Sequence, residues 1–181
     1  GSKLANNLIS HNNKLYIFDI NKKTYLKFKN KNIHKCYELK ELADKCKIII
    51  TCLPSPKTVD IVISSILPFI NKTHLWIEMS TTNRNEMIRL AKIFKNKGGS
   101  VLESPITGGE HRAKSGNISI LSAGSKKNFN RAFPILSLLG HQILYCGKIG
   151  NASILKIITN YLASLHLIGI GESLAVAKKH D

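Results

Sequence analysis

Residues 47–54 read KIIITCLP, and this short run decides the fold. Ile48, Ile49, Ile50 and Thr51 are four consecutive β-branched or apolar residues, which indicates a strand covered on both faces, as in a parallel sheet packed between helices. Leu53 and Pro54 end it. Downstream, Lys57–Ile63 has helical spacing, HLWIEMS (74–80) is a strand, and Asn83 to Lys95 is an amphipathic helix. Asn83 caps that helix with Glu86 three residues on, and Gly98 and Gly99 close it. SVLESPI (100–106) and NISILSAG (117–124) read as strands, SKKNFNRAFPILSLLG (125–140) as a helix containing Pro134, and HQILYCG (141–147) as a last strand. Upstream, ELKELAD (38–44) is a short helix, preceded by a polar segment that reaches Lys35. KLYIFD (14–19) is a strand ending in Asp19, and GSKLANNLIS (1–10) is an amphipathic helix with Leu4, Ala5, Leu8 and Ile9 on one face.

Strands alternating with helices across short loops give an α/β, doubly wound, mostly parallel sheet. Ligands of such sheets lie beyond the carboxyl ends of the strands. The loops at those ends follow Asp19, run through Leu53 and Pro54, span Ser80–Thr82, and span Pro105–Gly109. An apolar strand that finishes in an acid some 20 residues after a glycine is the second half of a dinucleotide-binding βαβ unit. The first strand and leading glycines of that unit do not precede Gly1. Gly1 is either the last glycine of the fingerprint or, with Ser2, a two-residue cloning remnant.

Beyond the last strand, Gly147 to Asp181 reads as a turn opening a long helix that carries Lys156 and Asn160. Four residues apart, the two side chains stack on one face, amid Ile and Leu. Buried lysine is costly unless paired or functional. Partial burial and the positive end of the helix dipole both push its pKa toward that of a general base. The plainer alternative is a lysine whose stem crosses apolar neighbours to reach water.

The 181 residues, 43% hydrophobic, suffice for one good core and the start of a second domain. Lys156, Asn160, His166 and Glu172 interrupt the apolar run and argue against a membrane span. A net charge of +16 raises the question of nucleic acid, but the lysines are scattered with asparagines through every loop and no nucleic-acid motif accompanies them. Biased codon supply and a solvated surface explain the excess. Cys36, Cys46, Cys52 and Cys146 show no metal spacing, so reduced, packed thiols in a reducing compartment are expected. The scattered histidines, His11 among them, are given no catalytic role.

GSKLANNL, FDIN, TCLP, EMSTT, SPITGGEHRAKSGNISI and GKIGNASILKIITN, in this order and spacing, resemble the β-hydroxyacid dehydrogenases. These are the 3-hydroxyisobutyrate dehydrogenase-like enzymes, with 6-phosphogluconate dehydrogenase as a larger relative. The resemblance implies a Rossmann-type sheet lacking its first strand, an incomplete dinucleotide-binding domain at 1–149, and at 150–181 the interdomain helix that begins a truncated all-α domain. It implies Lys156 as catalytic acid/base, Asn160 with Thr107, Gly108 and Gly109 as the substrate loop and its partner, and Leu53, Pro54, Ser80 and Thr81 on the cofactor. Thr107 departs from the family's serine by one methyl group. Asp19 would accept from the adenosine ribose, favouring NAD over NADP, although Lys22 and Lys23 could accommodate a phosphate. The implied substrate is a short 3-hydroxy acid or semialdehyde. A homo-oligomer formed through the second domain and a cytoplasmic or mitochondrial location are also implied. Two other readings remain: a non-catalytic basic relative binding nucleic acid or chromatin, and an inactive structural fragment.

Overall fold

The structure, a computed structural model, describes residues 1–9 and 14–180; Ser10, at the end of the expected first helix, His11 and Asp181 lie outside them. The chain runs α1 (Ser2–Ile9), β1 (Leu15–Ile17), β2 (Ile33–Lys35), α2 (Leu39–Lys45), β3 (Ile48–Thr51), α3 (Pro56–Ile66), β4 (Leu75–Glu78) and α4 (Arg84–Asn96). It continues through β5 (Ser100–Glu103), β6 (Ile106–Thr107), α5 (Gly109–Lys114), β7 (Ile118–Gly124), α6 (Lys126–Leu139), β8 (Gly140–Tyr145) and α7 (Asn151–Lys179).

β3, β4 and β5 are parallel neighbours, β5 and β6 meet β7 antiparallel, and β8 runs parallel along β7. β1 and β2 form a separate parallel pair. Alternation along β4 shows the layering. Leu75 and Ile77 pack with Leu4 and Leu8 of α1 and Phe129, Leu136 and Leu139 of α6, whereas Trp76 packs with Val59 and Ile63 of α3 and Met87 and Phe94 of α4. Two covered faces explain why β3 and β4 carry almost no polar residue.

Local signals set several boundaries. Asn83 accepts the Glu86 amide at 2.9 Å to start α4, as its sequence suggested, and Ser55 and Ser125 cap α3 and α6 in the same way. Two expectations about the strands need correction. The polar segment before Lys35 contains β2, whose three residues include only one apolar side chain, Ile33, and therefore carry no alternation to read. The expected strand over 100–106 is two strands: Pro105 has no N–H to continue the ladder, so β5 stops at Glu103, and Ile106 pairs afresh with Ile120.

The third correction concerns α7. Of its residues only Ala152, Ser153 and Lys156 are buried, while Ile154, Ile157, Ile158, Leu162 and Leu165 are exposed. The lysine faces the body of this chain and the isoleucines face away, the reverse of a polar residue riding on a buried apolar stripe. By length and composition α7 is apolar enough to cross a membrane. Its polar residues therefore do not exclude a span by themselves, because spread along so long a helix they leave apolar stretches between them.

Candidate active site

The carboxyl ends of β3 and β4 are clasped together by buried side chains. Leu53 N–H donates to Ser80 Oγ at 2.8 Å, tying the loop after β3 to the loop after β4. Ser80 N–H donates to Glu78 Oε1 at 2.6 Å. Thr51 Oγ1 donates to Glu78 Oε2 and accepts from Trp76 Nε1 at 2.7 Å. Burial pushes the Glu78 carboxyl up to about 7; the Ser80 and Thr51 hydrogen bonds pull it down, and Glu103 raises it further.

Glu103 lies beside Glu78 on the neighbouring strand, in register with it. It accepts from Gly150 N–H at 2.6 Å, from Ser153 N–H at 2.5 Å and from the Ser153 hydroxyl. The residue preceding α7, Gly150, sits at φ 96° and offers no side-chain cap, so Glu103 caps this helix from the sheet. Burial raises the Glu103 carboxyl above its usual range, against the hydrogen bonds from Ser153 and Gly150.

One turn beyond Ser153, Lys156 is 9% exposed. Burial alone drives its ammonium below the ordinary lysine value of 10.5. No carboxylate forms an ion pair with it among the described residues. α7 packs along β6, the strand that ends in Thr107. Gly108 and Gly109 follow at φ 122° and 79°, conformations in which a side chain is strained. Both are exposed, and nothing lies within 4 Å of the position a Gly109 side chain would take. Such successive amides suit an anion.

The remaining expected residues are spread more widely. Pro54 and Thr81 are exposed beside the clasp. Asn160 is exposed one turn above Lys156. Asp19 follows β1 in the smaller sheet, where its Oδ1 accepts from Asn21 N–H at 2.8 Å and its own N–H donates to Tyr25 Oη at 3.1 Å. The Lys22 ammonium lies over the rings of Phe18, Tyr25 and Tyr37 at 5.0 to 5.3 Å, a cation–π setting. Gly1 starts α1, accepting from Ala5 N–H at 3.0 Å, and lies against the Cys52 carbonyl. The amide end of α1 therefore meets the carboxyl end of β3.

Sequence reasoning missed Glu78, Glu103 and Thr82. An acid at the carboxyl end of two successive buried strands, as in IEMS and LESP, was the available signal. Thr82 is buried, and its hydroxyl has no partner among the described residues, which is uncommon for a buried polar group. A free hydroxyl beside the Leu53–Ser80 clasp and the first turn of α1 provides polar groups of the kind a dinucleotide requires along this edge. All four cysteines are free thiols, Cys36 buried and Cys46, Cys52 and Cys146 partly buried.

Comparison with known proteins adds three findings. Residues 1–147 match the model of the NAD binding domain of 6-phosphogluconate dehydrogenase. The chain is 31% identical over 177 residues to rat mitochondrial 3-hydroxyisobutyrate dehydrogenase, covering 96% of this chain and 53% of that protein. It thus spans about half the length of the curated relatives it matches. Among solved structures, a Mycobacterium tuberculosis 3-hydroxyisobutyrate dehydrogenase with L-serine superposes with a TM-score of 0.91 at 20% identity, over 98% of this chain and 61% of that one. An imine reductase from Myxococcus stipitatus in complex with NADP+ gives 0.89 at 16%, over 98% and 62%, and a variant of the same enzyme is in complex with NAD+. At these identities the structures speak for the fold, an α/β Rossmann type with a long C-terminal helix. That fold, with the match running from α1 through β8, identifies the chain as belonging to the family of the NAD-binding domain of 6-phosphogluconate dehydrogenase.

Proposed function

We propose that the protein is a nicotinamide-dependent oxidoreductase acting on a short 3-hydroxy acid or the corresponding semialdehyde, with Lys156 as general acid/base. The observation carrying this reading is a buried lysine without a carboxylate partner among the described residues, on a helix packed against the strand that leads into Thr107, Gly108 and Gly109. The 3-hydroxyisobutyrate dehydrogenases among its relatives support the substrate class.

When bound, the cofactor supplies a hydride acceptor or donor. Oxidation leaves a proton on the alcohol oxygen, which the neutral Lys156 amine takes; in reduction the ammonium returns it. The amides of Gly108 and Gly109 with the Thr107 hydroxyl hold the substrate carboxylate, and Asn160 lies one turn above the lysine to hold its other end. The cofactor lies along Leu53, Pro54, Ser80 and Thr81, with the Thr82 hydroxyl as a further partner and the ribose against Asp19. NAD is favoured on the strength of Asp19, although the imine reductase structures contain both NAD+ and NADP+. Residues 1–149 act as the dinucleotide-binding unit, and 150–181 as the helix that joins it to an α-helical domain. The exposed isoleucines and leucines of α7 are then covered by protein, and a homo-oligomer completes that cover. The mitochondrial relatives favour a mitochondrial location over a cytoplasmic one.

The test is turnover of 3-hydroxyisobutyrate and related acids by the full-length protein with NAD and with NADP, alongside Lys156→Ala. Turnover should fall roughly 100-fold or more in the variant, with dinucleotide affinity nearly kept. Undiminished turnover would refute the assignment. Salt-sensitive DNA retention without dehydrogenase activity would point instead to the basic binding module.

A further inference from the structure

We infer that Glu103 is the positioning residue of the acid/base: its buried carboxylate fixes the first turn of α7 and thereby aims Lys156. The inference rests on the assignment of Lys156 made above.

Glu103 stands on β5, hydrogen-bonded on both sides by β4 and β7, and is 1% exposed. Its two oxygens take different donors. Oε2 accepts from Gly150 N–H, and Oε1 accepts from both the Ser153 N–H and hydroxyl. Contacts at residues 150 and 153 determine both where the helix begins and how it is rotated about its axis. Lys156 follows Ser153 by three residues and so shares its face. Other anchors are few: after Thr159 every described residue of α7 is exposed, so the sheet grips this helix only at its start.

The geometry sets the sensitivity. A helix backbone lies at a radius of about 2.3 Å, which places an extended lysine nitrogen roughly 8 Å from the axis, so a rotation of about 10° moves it by more than 1 Å. A displacement of that size in a reacting group can cost roughly 100-fold in rate. The ionisable groups facing Glu103 are Glu78 in register on β4 and the Cys146 thiol after β8, whose pKa is raised by burial first and by Glu103 second. Both are acids, so neither supplies Glu103 with a compensating positive charge. The donors of α7 do that work.

The experiment uses the full-length protein with 3-hydroxyisobutyrate and NAD. In Glu103→Gln one oxygen becomes an NH2 group facing backbone N–H donors, so the clasp opens. We expect kcat to fall 10- to 100-fold while substrate KM and the NADH dissociation constant, read by fluorescence, stay within about threefold. Ser153→Ala, which removes a single donor, is the milder variant to use if Glu103→Gln does not fold, and should lower kcat about threefold or more. Because Glu103 acts through Lys156, Glu103→Gln/Lys156→Ala should be no slower than Lys156→Ala alone. Wild-type kcat in Glu103→Gln or in Ser153→Ala overturns the inference, as does a double variant slower by the product of the single effects. If Lys156→Ala itself retains full turnover, the acid/base assignment fails and the inference falls with it, an outcome distinct from the other two.

Discussion

Replacing Glu78 with Gln should make the protein more stable at alkaline pH and leave it nearly unchanged in acid. The carboxyl sits between Ser80 N–H and the Thr51 hydroxyl, buried, with a folded pKa of about 7 against an ordinary 4.5. A raised carboxyl pKa means that the fold disfavours the ionised form. The penalty is absent below pH 4.5, grows as pH rises, and is fully present above about 7. At 1.36 kcal/mol per pKa unit, the gap corresponds to about 3 kcal/mol at pH 8. Gln keeps an oxygen for the Ser80 amide and presents an NH2 to Thr51 Oγ1, so the contacts survive without the charge. The assay is urea unfolding at pH 5 and pH 8 followed by the emission of Trp76, whose indole belongs to the same network. Any packing cost of the substitution appears at both pH values, so the quantity to read is the difference between them. The variant should gain about 2.5 kcal/mol on the wild type in going from pH 5 to pH 8, because a small part of the penalty is already present at pH 5. A difference that does not change with pH would show that Glu78 is not ionised at that cost, and the reasoning would fail.

Burial lowers the Lys156 ammonium below 10.5. Oxidation needs the neutral amine, so its rate should therefore rise with pH through a midpoint under that value, and reduction should show the opposite limb. A rate profile in which both directions rise together would remove the lysine from that role. Asp19→Ser should lower the preference for NADH over NADPH by roughly tenfold, read as a ratio of dissociation constants by fluorescence titration. An unmoved ratio would mean that Asp19 is only the turn-forming residue that its bond to Asn21 makes it.

The layered sheet was legible because it rests on short-range rules. KIIITCLP and HLWIEMS report two covered faces, Asn83 with Glu86 marks a helix start, and these signals need no partner to be read. Lys156 and the Thr107–Gly109 loop were likewise visible as a cation on an apolar helix and a pair of glycines at a strand end. β2 was not legible, since a three-residue strand with one apolar side chain exists only because β1 lies beside it. The same limit hid Glu78 and Glu103, whose long-range partners lie 27 to 50 residues away in sequence. In sequence, IEMS and LESP show an acid at a strand end but not which donors it meets there. The direction in which α7 turns its lysine was also beyond the sequence, because helical spacing gives a face but not what it faces. Local pattern thus determines which elements form. Only the tertiary structure decides which polar groups are buried together, because desolvation and hydrogen-bond geometry arise between segments that the chain keeps far apart.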